Sequence, residues 1–169
     1  TNNLCNGNAA GTITVAAVAG GTGPDYTVSK NGINWVALSA GTYTFTGLAA
    51  GTYPISIKDV NGCVKTSNVI ITQPASMAFT VTYTDASCAG GATGSITVPT
   101  VTGGTAPYEF VVATAGAAMP GSGWVPAAPG TISLLAANYY SVWVRDANGC
   151  TKAFANQDGT GNILPIQAP

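Results

Sequence analysis

The sequence contains no histidine and very few charged side chains. Of its 169 residues, five are Lys or Arg and six are Asp or Glu, so charged residues make up 7% of the chain. An average globular domain carries about 25%. Without histidine, neither a Ser-His-Asp triad nor a Cys-His pair can be built. The carboxylates are scattered rather than paired as glycoside hydrolysis requires. We therefore expect no enzyme and predict no catalytic residue.

Basic clusters and long apolar runs are also lacking. The net charge is −1 and the five basic residues are dispersed, whereas nucleic-acid binding needs several Lys or Arg side chains that neutralise phosphates. No apolar run approaches the roughly 20 residues that span a membrane. We therefore expect no nucleic-acid partner and no membrane insertion.

Cysteine is scarce, and its placement argues against a metal site. The four cysteines are far apart and form no C-x2-C pair, which is the usual spacing of zinc ligands. We predict no metal and no cofactor. Dispersed cysteines favour two disulfides, which persist in an oxidising compartment. The sequence therefore predicts an extracellular protein.

The chain does contain an internal repeat. A shift of 83 residues superimposes the first part of each copy, and after a net insertion of four (87 − 83 = 4) a shift of 87 superimposes the rest. The first shift aligns Cys5 with Cys88, Gly11 with Gly94, and Gly20-Gly21-Thr22 with Gly103-Gly104-Thr105. The second aligns Tyr53 with Tyr140, and Asp59-x-Asn61-Gly62-Cys63 with Asp146-x-Asn148-Gly149-Cys150. Such a duplication predicts two domains, residues 1–75 and 76–169.

Each copy has one cysteine near its start and one near its end. Four cysteines allow three connectivities, and one of these keeps each repeat self-contained. The predicted disulfides are therefore Cys5–Cys63 and Cys88–Cys150.

Apolar and polar residues alternate along several short segments. One face carries Tyr53, Ile55 and Ile57, and the second copy repeats it with Tyr140, Val142 and Val144. Gly, Pro and Asn-Gly dipeptides separate these segments, and no window shows a helical period. The pattern predicts an all-β chain of two tandem Ig-like or fibronectin-III-like β-sandwiches, each with one intradomain disulfide.

The Asp-x-Asn-Gly-Cys motif that follows this strand has two interpretations. As a tight turn, its Asp accepts hydrogen bonds from backbone amides and its Asn-Gly pair tolerates positive φ. As a calcium loop it would need more carboxylates and a terminal bidentate Glu, and none follows Asp59 or Asp146. The motif favours the structural turn.

Together these motifs resemble the SprB repeat of Bacteroidetes surface proteins. The resemblance rests on the shared glycines and cysteines, the Gly-Gly-Thr loops, Pro107-Tyr108, and the Asp-x-Asn-Gly-Cys turns. It covers nearly the whole chain, although copy one has Pro24-Asp25-Tyr26 where Pro-Tyr is expected. It implies a large secreted surface protein of the kind that includes gliding-motility adhesins, exported by the type IX route. It implies no catalytic residue.

One face of the second copy is unusually aromatic. On segment 139–145 the polar face carries Tyr139, Trp143 and Arg145, and the insertion at 113–130 adds Trp124. Exposed aromatics of this kind form interfaces or stack on sugars. These four residues are the candidate contact surface for a glycan or protein. The alternative is that the insertion simply covers Trp143.

The sequence predicts a structural or adhesive segment of a surface protein. An apolar segment, 79–83, precedes Cys88, whereas only Thr1–Leu4 precede Cys5. Two interpretations follow: a slice of a longer array, or a subunit whose open edge is filled by another copy in a head-to-tail filament. The expected partners are neighbouring repeats or identical subunits, with surface polysaccharide as a further candidate.

Overall fold

The computed structural model describes residues 1–38, 40–154 and 164–169. Over these residues the chain is all-β, with sixteen strands and no helix, which confirms the predicted class. It divides into two compact units, Thr1–Pro74 and Ala75–Pro169. The predicted boundary at 75/76 lies one residue from this division.

Unit 1 contains two antiparallel sheets. Its strands are β1 (Gly11–Ala16), β2 (Thr27–Ser29), β3 (Val36–Ala37), β4 (Thr42–Leu48), β5 (Gly51–Lys58) and β6 (Val64–Ile71). Strands β1 and β4 form one sheet, and the other has the order β3-β2-β5-β6. Both sheets contribute to a single buried cluster, whose members are Ile13, Val15, Val28, Leu38, Phe45, Leu48, Ile55 and Ile71. Two sheets that share one core are the arrangement of a β-sandwich.

Unit 2 repeats this plan with additional strands. They are β7 (Ala78–Phe79), β8 (Thr82–Thr84), β9 (Gly94–Val98), β10 (Val101–Thr102), β11 (Glu109–Thr114), β12 (Val125–Pro126), β13 (Gly130–Leu135), β14 (Asn138–Arg145), β15 (Thr151–Ala153) and β16 (Leu164–Ile166). One sheet has the order β13-β9-β8, and the other has the order β12-β11-β14-β15 with β16 also on β14. Strands β7 and β10 form a separate pair. The sequence also predicts that each half closes with an Ile-rich strand, and in the second half this segment, 163–169, begins at residue 163, outside the described residues.

The predicted apolar faces point into these cores. Tyr140, Val142 and Val144 are all buried in unit 2. In unit 1 Ile55 is buried, and Tyr53 and Ile57 pack against the cluster while half-buried. Alternate residues of a strand share one face, so the sequence pattern determined which side of each strand is inside.

Gly11 and Gly94, which the repeat aligns, lie where strands approach closely. A Cβ atom on Gly11 would come within 2.8 Å of both Leu48 O and Ile71 Cγ2. A Cβ atom on Gly94 would meet Leu135 O at 2.9 Å and Ile166 Cγ2 at 2.7 Å. Both repeats need glycine here because no side chain fits between the strand that begins at this residue and its neighbours.

Paired hydroxyl groups explain how the sheets stay polar with so little charge. Thr14 bonds Thr44 across β1 and β4 with an Oγ1–Oγ1 distance of 2.9 Å. In unit 2 Thr97 bonds Thr131 in the same way at 2.8 Å. Such cross-strand pairs stabilise a sheet. Parts of the exposed faces are therefore polar, uncharged and internally hydrogen-bonded.

Candidate functional site

A single carboxylate organises one end of unit 1. Asp59 Oδ2 accepts the Thr22 N–H (3.0 Å) from the Gly-Gly-Thr loop. Its Oδ1 accepts the N–H groups of Asn61 (3.1 Å) and Cys63 (2.8 Å) from the following turn. The donors at Thr22 and Cys63 hold the pKa of the Asp59 carboxyl below its ordinary value, because a carboxylate that accepts several N–H groups is stabilised in its charged form.

Unit 2 contains the same arrangement around Asp146. The Thr105 N–H donates to Asp146 Oδ2 at 2.9 Å. The N–H groups of Asn148 and Cys150 donate to Oδ1, each at 2.9 Å. In both repeats the carboxylate joins the glycine loop to the turn that carries the second cysteine. The motif forms the predicted structural turn and, beyond that prediction, connects the turn to the glycine loop. We call this arrangement the Asp clamp.

Two tyrosine hydroxyls in each unit bond back to nearby carbonyls. Tyr53 donates to Ala49 O and Tyr140 donates to Ala136 O, each at 3.0 Å. This local bond, four residues upstream, resembles the tyrosine corner of Ig-like sandwiches.

The second hydroxyl of each unit bonds the glycine loop. Tyr26 donates to Gly20 O and Tyr108 donates to Gly103 O, each at 2.6 Å. Tyr26 therefore makes in unit 1 the contact that Tyr108 makes in unit 2, although the shift of 83 aligns Asp25 with Tyr108. One extra residue in the loop displaces the tyrosine along the sequence without changing its contact.

The predicted disulfides are wrong. Cys5 and Cys150 are disulfide-bonded, whereas Cys63 and Cys88 are exposed free thiols. Each predicted pair would join a bonded cysteine to a free one. Neither Cys5–Cys63 nor Cys88–Cys150 exists, and the prediction of one intradomain disulfide per sandwich fails with them.

In unit 1 the length of strands β5 and β6 explains why Cys5 and Cys63 do not form a disulfide. Cys63 directly precedes Val64, which faces Lys58 in the ladder. The segment after Cys5 lies at the opposite end, where the Gly7 N–H donates to Gln73 Oε1 at 2.9 Å. Strands of eight residues separate these ends by about 23 Å. A disulfide needs Cα atoms within about 7 Å.

The same separation applies to unit 2. Cys150 directly precedes Thr151, which pairs with the last residue of β14. Cys88 follows Asp85, whose Oδ1 accepts the Gln167 N–H (2.9 Å) next to the first residues of β14. The first and second cysteines of a repeat therefore lie towards opposite ends of its longest strands.

The candidate contact residues do not form one patch. The Trp124 ring lies 4.4 Å from Arg145 Cζ, and Arg145 also pairs with Glu109 at 2.6 Å. Tyr139, with 57% of its surface exposed, lies six residues from Arg145 along β14, or about 20 Å away. Trp143 lies between them and is half-buried. The contact role of these residues stays a prediction.

The Trp–cation contact is common to both repeats, which was not expected. In unit 1 Lys58 Nζ lies 4.3 Å from the centre of the Trp35 ring. Lys58 aligns with Arg145, and Trp35 and Trp124 each immediately precede a short strand that pairs next to the central strands. Cation–π contacts stabilise such positions. A contact built into both repeats indicates a structural role for Trp124. The Trp-Val pair shared by residues 35–36 and 124–125 was the signal in the sequence.

An apolar groove, which the sequence did not reveal, opens beside the Asp clamp of unit 1. Its volume is about 370 Å³, and it lies between the loop 16–21 and the turn that ends at Cys63. Tyr26 and Ile57 line it, and Cys63 and Lys65 stand at its edge. Its size falls in the range of ligand-binding clefts. We call it the unit 1 groove.

Comparison with known families bears on both repeats. The SprB repeat model matches residues 1–31 and 80–116. One matched segment lies in each unit, consistent with two SprB repeats. Each matched segment includes the Gly-Gly-Thr loop, and the family is associated with cell-surface proteins. No curated protein matches the chain.

The described parts of the two units offer few groups for chemistry. Among residues 1–38, 40–154 and 164–169, no cluster of three or more His, Cys, Asp or Glu side chains could hold a metal ion. The same residues include no helix that is long and apolar enough to cross a membrane. Both Asp clamps use their carboxylates to hold backbone. The two units display hydroxyl pairs on their sheet faces, two free thiols and the unit 1 groove.

Proposed function

We propose that this chain is a structural and adhesive segment of an extracellular surface protein, in which tandem SprB repeats form a stalk or filament without catalytic activity. The observation that carries the proposal is the duplication itself. Both repeats contain the same Asp clamp, the same tyrosine bonds and the same Trp–cation contact. Repetition of a whole structural unit suits a protein that gains length and surface.

The surface chemistry supports this proposal. Charged residues make up 7% of the chain, and hydroxyl pairs such as Thr14–Thr44 occupy the exposed sheet faces. Net charge therefore does little to keep copies apart. Type IX export and a role in gliding are finer parts of the same proposal, and both rest on the family resemblance.

Labelling of intact cells tests the location. Antibodies raised against the purified chain, with colloidal gold, should label the outside of cells that produce the parent protein. Added protease should remove that label. Label that appears only after permeabilisation would refute the proposal. Electron microscopy of the purified parent protein should show thin extensions with a regular repeat, and compact particles would refute the stalk or filament.

A glycan-binding role is the second candidate, and exposure of Tyr139 favours it. This ring is 57% exposed on the strand that also carries half-buried Trp143. A glycan array should then detect binding that Tyr139→Ala and Trp143→Ala each reduce. Tyr83→Ala is the matched control, since Tyr83 is 44% exposed elsewhere in unit 2. Absence of binding, or equal loss in the control, would end this candidate.

A further inference from the structure

The unit 1 groove has a counterpart in unit 2, and there the chain itself fills it. The segment Ala75–Phe79 lies along the glycine loop, where Ala75 O accepts the Gly104 N–H at 2.9 Å. Its strand β7 then pairs antiparallel with β10, with Phe79 opposite Val101 and Ala78 opposite Thr102. This short peptide therefore forms a two-stranded pair with β10 on one side of unit 2.

Two side chains anchor the segment. Met77 is 8% exposed and belongs to the unit 2 core. Phe79 packs against that core and lies 5.8 Å from the Phe154 ring, measured between ring centres. Residues two apart on an extended chain point the same way, so Met77 and Phe79 enter the unit together.

The corresponding surface of unit 1 is open. Val18 and Ala19, which align with β10, pair with no strand in the described part of the chain. Ile57 is only half-buried, whereas the aligned Val144 is fully buried. The groove lies where unit 2 places the Met77 and Phe79 side chains.

The space beside the glycine loop also differs between the two units. A Cβ atom on Gly103 would come within 2.2 Å of Ser76 O, and one on Gly104 within 2.7 Å of Met77 Cγ. A Cβ atom on Gly20, which aligns with Gly103, would meet nothing within 4 Å. The unit 1 loop thus has room beside it for a peptide backbone.

The exposure of the cysteine at the edge of the groove differs between the repeats in the same direction. Cys150, beside the filled surface of unit 2, is half-buried and disulfide-bonded. The aligned Cys63 is exposed and carries a free thiol. This position is therefore partly covered in the repeat whose groove is filled and exposed in the repeat whose groove is open.

We propose that the unit 1 groove is an acceptor site for the connector of another SprB repeat. The connector is an extended peptide of the Ala75–Phe79 type, with Met and Phe two residues apart. Its backbone would pair with Val18 and Ala19, and its two anchors would cover Ile57. The proposal rests on the scaffold role proposed above and adds the way in which one repeat engages the next.

A peptide titration tests the site directly. The isotope-labelled whole chain is titrated with a synthetic peptide of residues 73–80, and amide NMR shifts are followed. We expect saturable one-to-one binding with a dissociation constant of about 0.1–1 mM, since the free peptide lacks the high effective concentration of a connected segment. Shifts should concentrate at residues 16–21 and 63–65 and spare 99–104, where the chain's own segment is bound. A peptide with Ser in place of Met and Phe should bind at least about tenfold more weakly.

Two glycine substitutions provide a matched pair. Gly20 and Gly32 both have positive φ, +84° and +72°, and open space around the Cβ position. Asn tolerates this conformation, so both variants should fold, which their amide spectra will show. Gly20→Asn should abolish binding because its side chain occupies the path of the peptide. Gly32→Asn, in a distant turn, should bind like the wild type.

Several outcomes would overturn the proposal. They are no saturable shift at millimolar peptide, shifts centred outside the groove, equal binding by both glycine variants, or shifts of the same residues caused by protein concentration alone, which would indicate a second copy instead. A negative titration would refute the acceptor site without affecting the proposed location at the cell surface. A negative labelling experiment would refute that location without affecting peptide binding in the groove, so the two proposals can be tested separately.

Discussion

Replacement of Asp146 by Asn tests the Asp clamp as the element that holds each repeat together at one end. Asp146 is 4% exposed and accepts three backbone N–H groups, from Thr105, Asn148 and Cys150. Asn has the same shape but offers only one acceptor oxygen. In Asp146→Asn that oxygen can serve the turn, and the amide NH2 group then faces the Thr105 N–H.

The expected cost follows from this one contact. The hydrogen bond to a charged acceptor contributes about 1.5–3 kcal/mol, and a donor left without a partner costs about 1–3 kcal/mol. These terms overlap, so we expect Asp146→Asn to lower the free energy of unfolding of unit 2 by about 2–4 kcal/mol. Rotating the side-chain amide of the Asp146→Asn variant would not remove this cost. The oxygen would then accept from Thr105, and the hydrogen bonds from the Asn148 and Cys150 N–H groups would be lost instead.

Urea unfolding followed by circular dichroism measures the effect. With a slope of about 1–1.5 kcal/mol per molar urea, the midpoint for unit 2 should fall by about 2 M. Hydrogen exchange should show lost protection at the Thr105 amide. Asp25→Asn removes the same charge from an exposed side chain and should change stability by less than about 0.5 kcal/mol. A midpoint that moves no more in Asp146→Asn than in Asp25→Asn would refute the argument.

Three further predictions follow from the same contacts. Maleimide should label the two exposed thiols (Cys63 and Cys88) of the unreduced native protein. The bonded cysteines should be labelled only after reduction. A peptide map with any other pattern would contradict this assignment of free and bonded cysteines. The lowered pKa of Asp59 contributes stability above the ordinary Asp pKa of 3.8 that is lost as the pH falls through the lowered pKa. The Tm should therefore drop as the sample is acidified below about pH 5, and Asp59→Asn should flatten that part of the curve. Tyr140→Phe should cost about 1 kcal/mol in thermal unfolding and Tyr53→Phe less, because the Tyr53 bond is exposed; equal costs would argue against burial as the cause.

The fold class was predictable because strand patterning is local. Alternation along Tyr140, Val142 and Val144 correctly indicated which face is buried, since the side-chain period of a strand does not depend on its partners. The turn at Asp59 was also predictable, because it uses a short-range Asp–amide contact. Features that depend on one segment and its own chemistry were therefore visible in the sequence.

The disulfides were not predictable because they depend on where long strands end. Nearness to the start or end of a repeat says nothing about distance across it, and the eight residues of β5 separate Cys5 from Cys63. The sequence alignment also missed that Tyr26 corresponds to Tyr108. A loop that is one residue longer shifts the alignment but leaves the contact of the tyrosine unchanged. The unit 1 groove emerges only when the surroundings of Gly20 and Gly103 are compared in space.

The placement of the cysteines has a mechanical consequence for each repeat. A pull applied through the first and second sulfurs of one module would run parallel to its longest strands. Because Cys63 lies in the turn that joins β5 to β6, the force would enter both strands at the same end and run along their backbones. A module with anchor points at both poles is suited to bearing tension.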